Sequence, residues 1–195
     1  MGICTVVNNA QVYGLKESIK RAKYPMSVDT SVLNSDLTNG IKALGNSKKG
    51  EGHDQFLTGI IVQFDLTFTI KAWTEAERYT FLDFVSSQST MHRIARFDIE
   101  NQVVGYVTQN TINEINRLKD IYNEDQTAEN YLTLLYNIPV GFKLTAGMTT
   151  NYRQLKTIYS QRKTHRLPEW REFCTWIETL PMFKELCLGG DSDEK

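Results

Sequence analysis

The chain contains 195 residues, of which 41% are apolar and 23% charged, and its formal net charge is −1. These values are ordinary for a globular protein, and the length allows one domain with a substantial apolar core. The charge balance argues against a general nucleic-acid binder, whose surface would be strongly basic. No segment approaches the roughly 18 consecutive apolar residues that a membrane span requires, so we expect no membrane partner.

Cysteine usage and the amino terminus bear on the cellular compartment. The three cysteines, Cys4, Cys174 and Cys187, have no Cys-x-x-Cys spacing. We therefore expect reduced thiols, no metal site and a cytoplasmic location. Residues 1–7 lack the charged segment and the long apolar segment of a signal peptide, which agrees with that location.

The amino-terminal part of the chain predicts one clear strand. Residues 3–7 are apolar and β-branched and predict a short strand, and residues 14–23 suit a short helix. Residues 25–52 are rich in Ser, Asn, Gly and Asp, so we expect a loop with at most a weak helix. From residue 64 to residue 71 apolar and polar side chains alternate, which is the period of a strand with one buried face.

Helix signals dominate the rest of the chain. The predicted helices cover residues 74–94, 104–122, 128–136, a segment from about 149 to about 162, and a last one from 168. The first opens with a capping box that begins at Thr74, Thr127 is suited to cap the third, and Thr149 or Thr150 the fourth. Pro168 stands in the first turn of the last helix, where its missing N–H is harmless.

These elements predict an α+β fold, in which a small central antiparallel sheet around residues 60–72 is packed by long helices. We expect a single domain over residues 1–188 and a disordered tail over residues 189–195.

Side chains suited to bind anions cluster in the last third of the chain. Asn151, Arg153, Arg162 and His165 occur close together, and guanidinium groups bind phosphate through two parallel hydrogen bonds. In an unbroken helix Asn151 and Arg162 are close to three full turns apart and share a face. Arg153 then lies about 200° round the helix and reaches a different partner.

Two interpretations remain open for these side chains. A charged helix face in solvent is the simpler one. The neighbouring rings of Tyr152, Tyr159 and Trp170 favour the other, because rings beside arginines can enclose a flat heterocycle. We therefore predict a site for a phosphorylated ligand in this region.

A spaced motif runs through the same region: Ile138-Pro139, Asn151-x-Arg153-x-Leu155, Arg162, His165 and Trp170. Its order and spacing resemble the carboxy-terminal motif of the flavin-dependent thymidylate synthases, also called thymidylate-synthase-complementing proteins. The resemblance implies that Asn151, Arg153 and His165 contact a flavin nucleotide, FAD. It also implies that Arg162 faces the uracil ring of dUMP and acts as the electrostatic catalyst.

Residues 52–96 resemble the same family less closely. Gly52-His53-Asp54 precedes the central strand as the family's histidine segment does, so His53 is implied to lie near the flavin. Phe81-Leu82-Asp83 replaces the family's Arg-His-Arg triplet, while Ser86 and Arg93 match its later Ser and Arg. The resemblance implies that Ser86 and Arg93 bind the nucleotide, with Arg93 on its phosphate.

The altered triplet removes positive charge from the implied site. A charge-assisted hydrogen bond contributes roughly 1.5–3 kcal/mol, so the loss of two weakens a ligand by several orders of magnitude unless other residues compensate. Arg78, Arg96 and His92 are the candidates, and we include Arg78 among the predicted substrate-binding residues. Residues 86–93 are poor helix formers, and they are either a ligand-facing helix end or a frayed surface terminus.

Two functional hypotheses follow from the resemblance. The first is a divergent flavin-dependent synthase that transfers a one-carbon unit to C5 of a pyrimidine deoxynucleotide, with methylenetetrahydrofolate and NADPH as co-substrates. The second is a protein on the same fold that binds or sequesters a nucleotide without catalysis, or acts as an assembly partner. By the same resemblance, either form is expected to be a homotetramer with sites between subunits.

Overall fold

The computed structural model describes residues 6–48 and 50–189, and a four-stranded antiparallel sheet lies at its centre. The strands are β1 (Val7–Tyr13), β2 (Ile61–Thr69), β3 (Asp83–Ser87) and β4 (Lys143–Asn151), in the spatial order β1-β2-β4-β3. β2 pairs with β4 along its whole length. The predicted α+β fold with an antiparallel sheet around residues 60–72 is therefore confirmed.

Helices surround this sheet. In chain order they are α1 (Leu15–Arg21), α2 (Asn39–Gly45), α3 (Ile70–Ala76), α4 (Thr90–Arg93), α5 (Ile99–Gln102), α6 (Gln109–Glu124), α7 (Ala128–Tyr136), α8 (Tyr152–Arg162), α9 (Pro168–Ile177) and α10 (Phe183–Cys187). Three short 3₁₀ segments, Tyr24–Met26, His53–Gly59 and Ile94–Arg96, add to these.

The main core lies between the sheet and α9. Alternate β2 side chains, among them Phe64 and Phe68, are buried, as the period of two predicts. Phe64 packs on Trp176 with ring centroids 4.8 Å apart, and Phe68 packs on Trp170 at the same distance. Each fully buried aromatic side chain contributes roughly 1.5–3 kcal/mol, so these rings fix α9 on the sheet.

A second apolar cluster holds the middle of the chain. It joins α5, α6 and α7 to the chain just before β4, through Ile99, Ile115, Leu134 and Phe142. This cluster packs α5, α6 and α7 against one another.

The helix predicted over residues 74–94 is wrong. The true helix, α3, begins earlier, because the Thr69 hydroxyl accepts the Ala72 backbone N–H at 3.1 Å and caps it. After Ala76 the chain turns and residues 83–87 pair with β4 as an edge strand. That pairing provides hydrogen-bond partners for the backbone N–H and C=O groups of a segment whose serines are poor helix formers.

The sequence pattern also failed to predict β4. Ala146, Met148 and Thr150 are buried in alternation, but small residues such as Gly147 hide the period of two. The predicted cap at Thr149 or Thr150 is therefore wrong, since both residues lie in the strand. The cap of α8 is Asn151, whose side chain accepts the Gln154 backbone N–H at 2.9 Å.

Other boundaries agree more closely. Thr127 caps α7, and Pro168 stands in the first turn of α9. α9 is followed by α10, and α6 begins at Gln109 rather than at residue 104, with Thr108 as its cap. The strand predicted at 3–7 lies mostly outside the described residues, and β1 begins only at Val7. The tail predicted from residue 189 lies outside them except for Gly189, and the single domain over 1–188 stays a prediction.

Two global features concern the described residues only. Within residues 6–48 and 50–189, every helix falls short of the length and apolarity that a bilayer span requires. In the same ranges, three or more His, Cys, Asp or Glu side chains are nowhere grouped as metal ligands would be.

The two described cysteines give a prediction. Cys174 and Cys187 are buried free thiols, and burial raises the pKa of the Cys174 thiol to about 12 and raises the pKa of the Cys187 thiol as well. Because the thiolate is the nucleophile, we expect neither to react with iodoacetamide at about pH 8 in the folded protein, and both to react after denaturation. Peptide mass spectrometry measures each site, and equal labelling of either thiol before and after denaturation contradicts the prediction.

Candidate functional site

An open cavity of about 720 Å³ lies beside α8, within the roughly 300–1,000 Å³ typical of small-molecule pockets. Two of the predicted site residues, Asn151 and Arg153, line it. The other described lining residues come from α8, from the loop and 3₁₀ segment before β2, and from the turn before β3: Ser47, Lys48, Asp54, Gln55, Thr58, Phe81, Gln154, Lys156, Thr157 and Ser160.

A buried carboxylate organises one wall of this cavity. The side chain of Asp54 is only 6% exposed, and it accepts from Arg153 Nε at 2.9 Å and from Lys156 Nζ at 3.2 Å. Arg153 Nη1 also donates to Gln55 Oε1 at 2.7 Å. A buried charge is tolerated when it is paired and hydrogen-bonded, and Asp54 has two cationic partners.

Lys156 holds the adjoining loop on α8. Its Nζ donates to the carbonyl oxygens of Gly45 at 2.8 Å and Ser47 at 2.9 Å, in addition to Asp54. These three bonds use the three donors of the ammonium group. Lys156 therefore supplies charge and fixes the cavity wall, whereas Arg153 retains N–H donors for a ligand.

The cavity wall carries excess positive charge. Among the described lining residues, the three cations Lys48, Arg153 and Lys156 and the one carboxylate Asp54 give a net charge of +2. Glu51 accepts the Lys48 backbone N–H at 3.1 Å, and counting its carboxylate as well leaves +1. In a chain of net charge −1, this excess favours an anionic ligand.

Sequence reasoning missed Asp54, Lys156 and Lys48. The spacing of Arg153 and Lys156, three residues apart on one helix, was the available signal that both reach a common partner. Nothing in the local sequence shows that this partner is Asp54, which lies 99 residues from Arg153 in the chain.

Arg162 lies in a different environment from Asn151. Arg162 Nη1 donates to Glu75 Oε2 at 2.9 Å and Nε donates to the Tyr79 hydroxyl at 2.7 Å. Its guanidinium carbon lies 4.7 Å from the centre of the Trp170 ring, and its side chain is only 12% exposed. Asn151 instead caps the opposite end of α8, so the two side chains expected on one helix face have separate partners.

His165 joins the Arg162 cluster through the same carboxylate. His165 Nε2 lies 3.2 Å from Glu75 Oε2, and Lys71 Nζ lies 3.3 Å from Glu75 Oε1. Partial burial by itself raises the pKa of Glu75, but the hydrogen bond from Lys71 and the charges of His165 and Arg162 outweigh it and lower that pKa below 4.5. Glu75 is therefore held ionised against these three partners.

The remaining predicted site residues are exposed on this chain. His53 begins the 3₁₀ segment next to Asp54, Ser86 lies in β3, Arg93 ends α4, and Arg78 follows α3. The described lining residues of the cavity include none of the four.

Glu75 gives a pH-dependent prediction. Its folded-state pKa is lowered, so the ionised carboxylate stabilises the fold above its ordinary pKa of 4.5, and this contribution is lost as the pH falls through the folded-state value. We expect Glu75→Gln to reduce the free energy of unfolding by roughly 1–3 kcal/mol at about pH 7, and the difference from the unaltered protein to narrow below about pH 4.5.

Urea denaturation across this pH range measures the effect. Glu114→Gln is the matched control, because it removes an exposed pair with Arg117, and such pairs contribute little to stability. An effect of Glu75→Gln that is the same at every pH contradicts the assignment.

Comparison with solved structures identifies the fold. The chain matches a flavin-dependent thymidylate synthase, ThyX from Helicobacter pylori complexed with FAD and dUMP, with a TM-score of 0.73 and 13% identity, over 93% of this chain and 96% of that one. A second ThyX structure from Helicobacter pylori with FAD and dUMP matches with a TM-score of 0.70 and 12% identity, over 92% and 94%.

A third similar structure is the UMP/dUMP methylase PolB from Streptomyces cacaoi bound with 5-Br dUMP. It matches with a TM-score of 0.59 and 17% identity, over 93% of this chain and 89% of that one. No protein-family model and no curated protein matches the sequence. The chain therefore has the fold of the flavin-dependent thymidylate synthases, across nearly its whole length and with a divergent sequence.

Proposed function

We propose that this protein binds a pyrimidine deoxynucleotide such as dUMP, together with a flavin such as FAD, in the cavity beside α8. The observation that carries the proposal is the pairing of a positively charged wall with a cavity of suitable size on this fold. Solved structures with the same fold are complexes of FAD, dUMP or 5-Br dUMP, which supports a nucleotide as the ligand.

The residues of the cavity fit a nucleotide phosphate, a group that dUMP and FAD both carry. Arg153 supplies a fixed guanidinium, and Asn151 supplies an amide whose oxygen already caps α8 and whose NH₂ group donates. Lys48 and Lys156 add charge that the resemblance did not predict. When bound, the flavin would supply hydride chemistry, and the chain's own contribution would be to hold and orient it.

We propose binding without one-carbon transfer as the main role. The resemblance implies that Arg162 is the catalyst. Its side chain, however, already donates hydrogen bonds to Glu75 and Tyr79 and packs on the Trp170 ring. A guanidinium paired with a carboxylate provides less stabilisation for negative charge developing on a pyrimidine ring. The replacement of the Arg-His-Arg triplet by Phe81-Leu82-Asp83 supports the same conclusion.

One-carbon transfer to C5 of the nucleotide is the second candidate, favoured by the likeness to whole enzyme chains. In that case Arg162 acts as catalyst after it leaves Glu75, with methylenetetrahydrofolate and NADPH as co-substrates. His165 and His53 then contact the flavin, and Arg93, Ser86 and Arg78 contact the nucleotide. The exposed positions of these last three residues suit a homotetramer, in which they reach the cavity of a neighbouring subunit.

Ligand binding provides the main test. At a concentration of about one hundred times Kd, a ligand stabilises the folded state by about 2.7 kcal/mol, which raises Tm by roughly 5–10 °C for a chain of this size. We expect this increase with FAD or dUMP, and we expect Arg153→Gln to abolish most of it while the fold is retained. Differential scanning fluorimetry measures Tm, and circular dichroism monitors the fold.

The matched control is Arg117→Gln, which removes an exposed arginine of α6. It is expected to leave the ligand-dependent increase unchanged. An increase that survives in Arg153→Gln places the ligand elsewhere, and no increase with either ligand in the unaltered protein overturns the proposed function.

The second candidate has its own assay. We expect the unaltered protein, supplied with FAD, methylenetetrahydrofolate and NADPH, to form no dTMP from dUMP above the rate of the Arg162→Ala variant. Chromatography of the nucleotides measures the product. Turnover by the unaltered protein that Arg162→Ala eliminates establishes the enzyme and contradicts the purely binding role.

A further inference from the structure

An aromatic ring and a cationic wall enter the cavity from different elements. Phe81 stands in the turn before β3, and the buried Thr150 hydroxyl donates to its carbonyl oxygen at 2.6 Å. The Phe81 side chain is nonetheless 59% exposed. The cations come from α8 and from the loop after α2. The cavity thus offers an exposed ring on an anchored backbone and, from another direction, positive charge.

We propose that the cavity takes a ligand with one flat ring and one anionic group, as in a mononucleotide. The ring packs on Phe81, the anionic group binds Arg153, and Asp54 is the positioning residue of the anionic end. The inference rests on the proposed function and adds to it the residues that bind each end of the ligand.

The geometry at Arg153 explains the role of Asp54. The bonds from Nε to Asp54 and from Nη1 to Gln55 fix the guanidinium plane from two directions. Nη2 still carries two N–H donors, and the side chain is 36% exposed, so the group can bind a ligand without first being ordered.

Asp54 acts through its partners and not by contact with the ligand. A carboxylate repels an anion, and this one is almost completely buried. It holds Arg153 directly, and through Lys156 it fixes the loop carbonyls of Gly45 and Ser47. The end of α2, from which this loop starts, packs closely on α10, since a Cβ on Gly45 would come within 2.3 Å of the Leu186 carbonyl oxygen.

The positive charge of this cavity lies at other positions than the resemblance implies. The resemblance places it on the triplet, where this chain has Phe81-Leu82-Asp83. Here a ring occupies the first of these positions, and the positive charge of the cavity lies on α8 and the loop after α2. The ring end and the anionic end therefore make separable contributions to affinity.

Calorimetric titration of dUMP and of deoxyuridine separates the two contributions, because the nucleoside lacks only the phosphate. We expect the unaltered protein to bind dUMP roughly 10- to 100-fold more tightly than deoxyuridine, as one or two charge-assisted hydrogen bonds provide. In Asp54→Asn this factor should fall to about 3-fold or less, while the affinity for deoxyuridine stays within about twofold.

Further variants distinguish positioning from a general loss of structure. Asp54→Glu keeps the charge and should recover part of the preference for dUMP over deoxyuridine. Asp120→Asn, which removes an exposed carboxylate of α6, should leave this preference unchanged. If Asp54→Asn does not fold, Arg153→Gln tests the same end of the cavity. If the variant that is tested folds and its preference for dUMP over deoxyuridine is unchanged, the inference is overturned.

Phe81→Ala tests the ring end. It should weaken dUMP and deoxyuridine by the same factor, roughly 3- to 10-fold, because an aromatic contact contributes equally to both. Phe81→Tyr keeps the ring and should bind normally, as should Tyr106→Ala, which removes an exposed ring of the chain between α5 and α6. Unchanged affinities in Phe81→Ala overturn the ring assignment.

The failures of the inference and of the proposed function are distinguishable. FMN and riboflavin form a second pair of probes with and without phosphate. If the unaltered protein binds none of the four probes, the proposed function fails and the inference with it. If it binds the phosphate-free and phosphorylated members of each pair equally well, only the inference fails.

Discussion

The antiparallel pairing of β2 with β4 is the constraint on which the site depends. The ladder runs from Thr69 opposite Lys143 to Ile61 opposite Asn151, and it continues through the bond from the Tyr152 N–H to the Ile60 carbonyl oxygen at 3.1 Å. Because α8 starts where this ladder ends, its first turn lies against the 3₁₀ segment that precedes β2. The contact between Arg153 and Asp54 is a direct consequence of that register.

Two carboxylates then pair with the cations at the two ends of α8. Asp54 holds Arg153 and Lys156 at one end of α8, and Glu75 holds Arg162 and His165 at the other. The first arrangement leaves donors facing an open cavity. The second packs a guanidinium among rings and excludes most solvent. Similar side chains therefore face an open cavity in one place and stabilise the packing of the fold in the other.

The chain is similar to the solved structures in architecture, but its residues between α3 and β3 differ from the Arg-His-Arg triplet of the family that it resembles. The sheet and helices match enzyme structures over nearly the whole chain, at 12–17% identity. Phe81-Leu82-Asp83 lies between α3 and an edge strand, where two apolar residues and a carboxylate favour a ring contact over phosphate binding. The chain thus combines this fold with a cavity whose described cations lie on α8 and on the loop after α2.

Strong local signals were sufficient for part of the fold. The alternation in β2, the Thr127 cap of α7 and the proline at the start of α9 are all confirmed, because each is a property of consecutive residues. The motif that contains Asn151 and Arg153 was also visible on one segment, and the structure brings both residues to one cavity.

What the sequence by itself determined is the α+β class, the central strand and the presence of cations near the carboxy-terminal end. The tertiary structure alone decided that residues 83–87 join the sheet as a strand, since the pairing partner lies about sixty residues away in β4. It also decided that Arg153 lines the open cavity and that Arg162 is largely buried. That outcome depends on where Asp54 and Glu75 lie in space, and no local propensity encodes a contact between charges so distant along the chain.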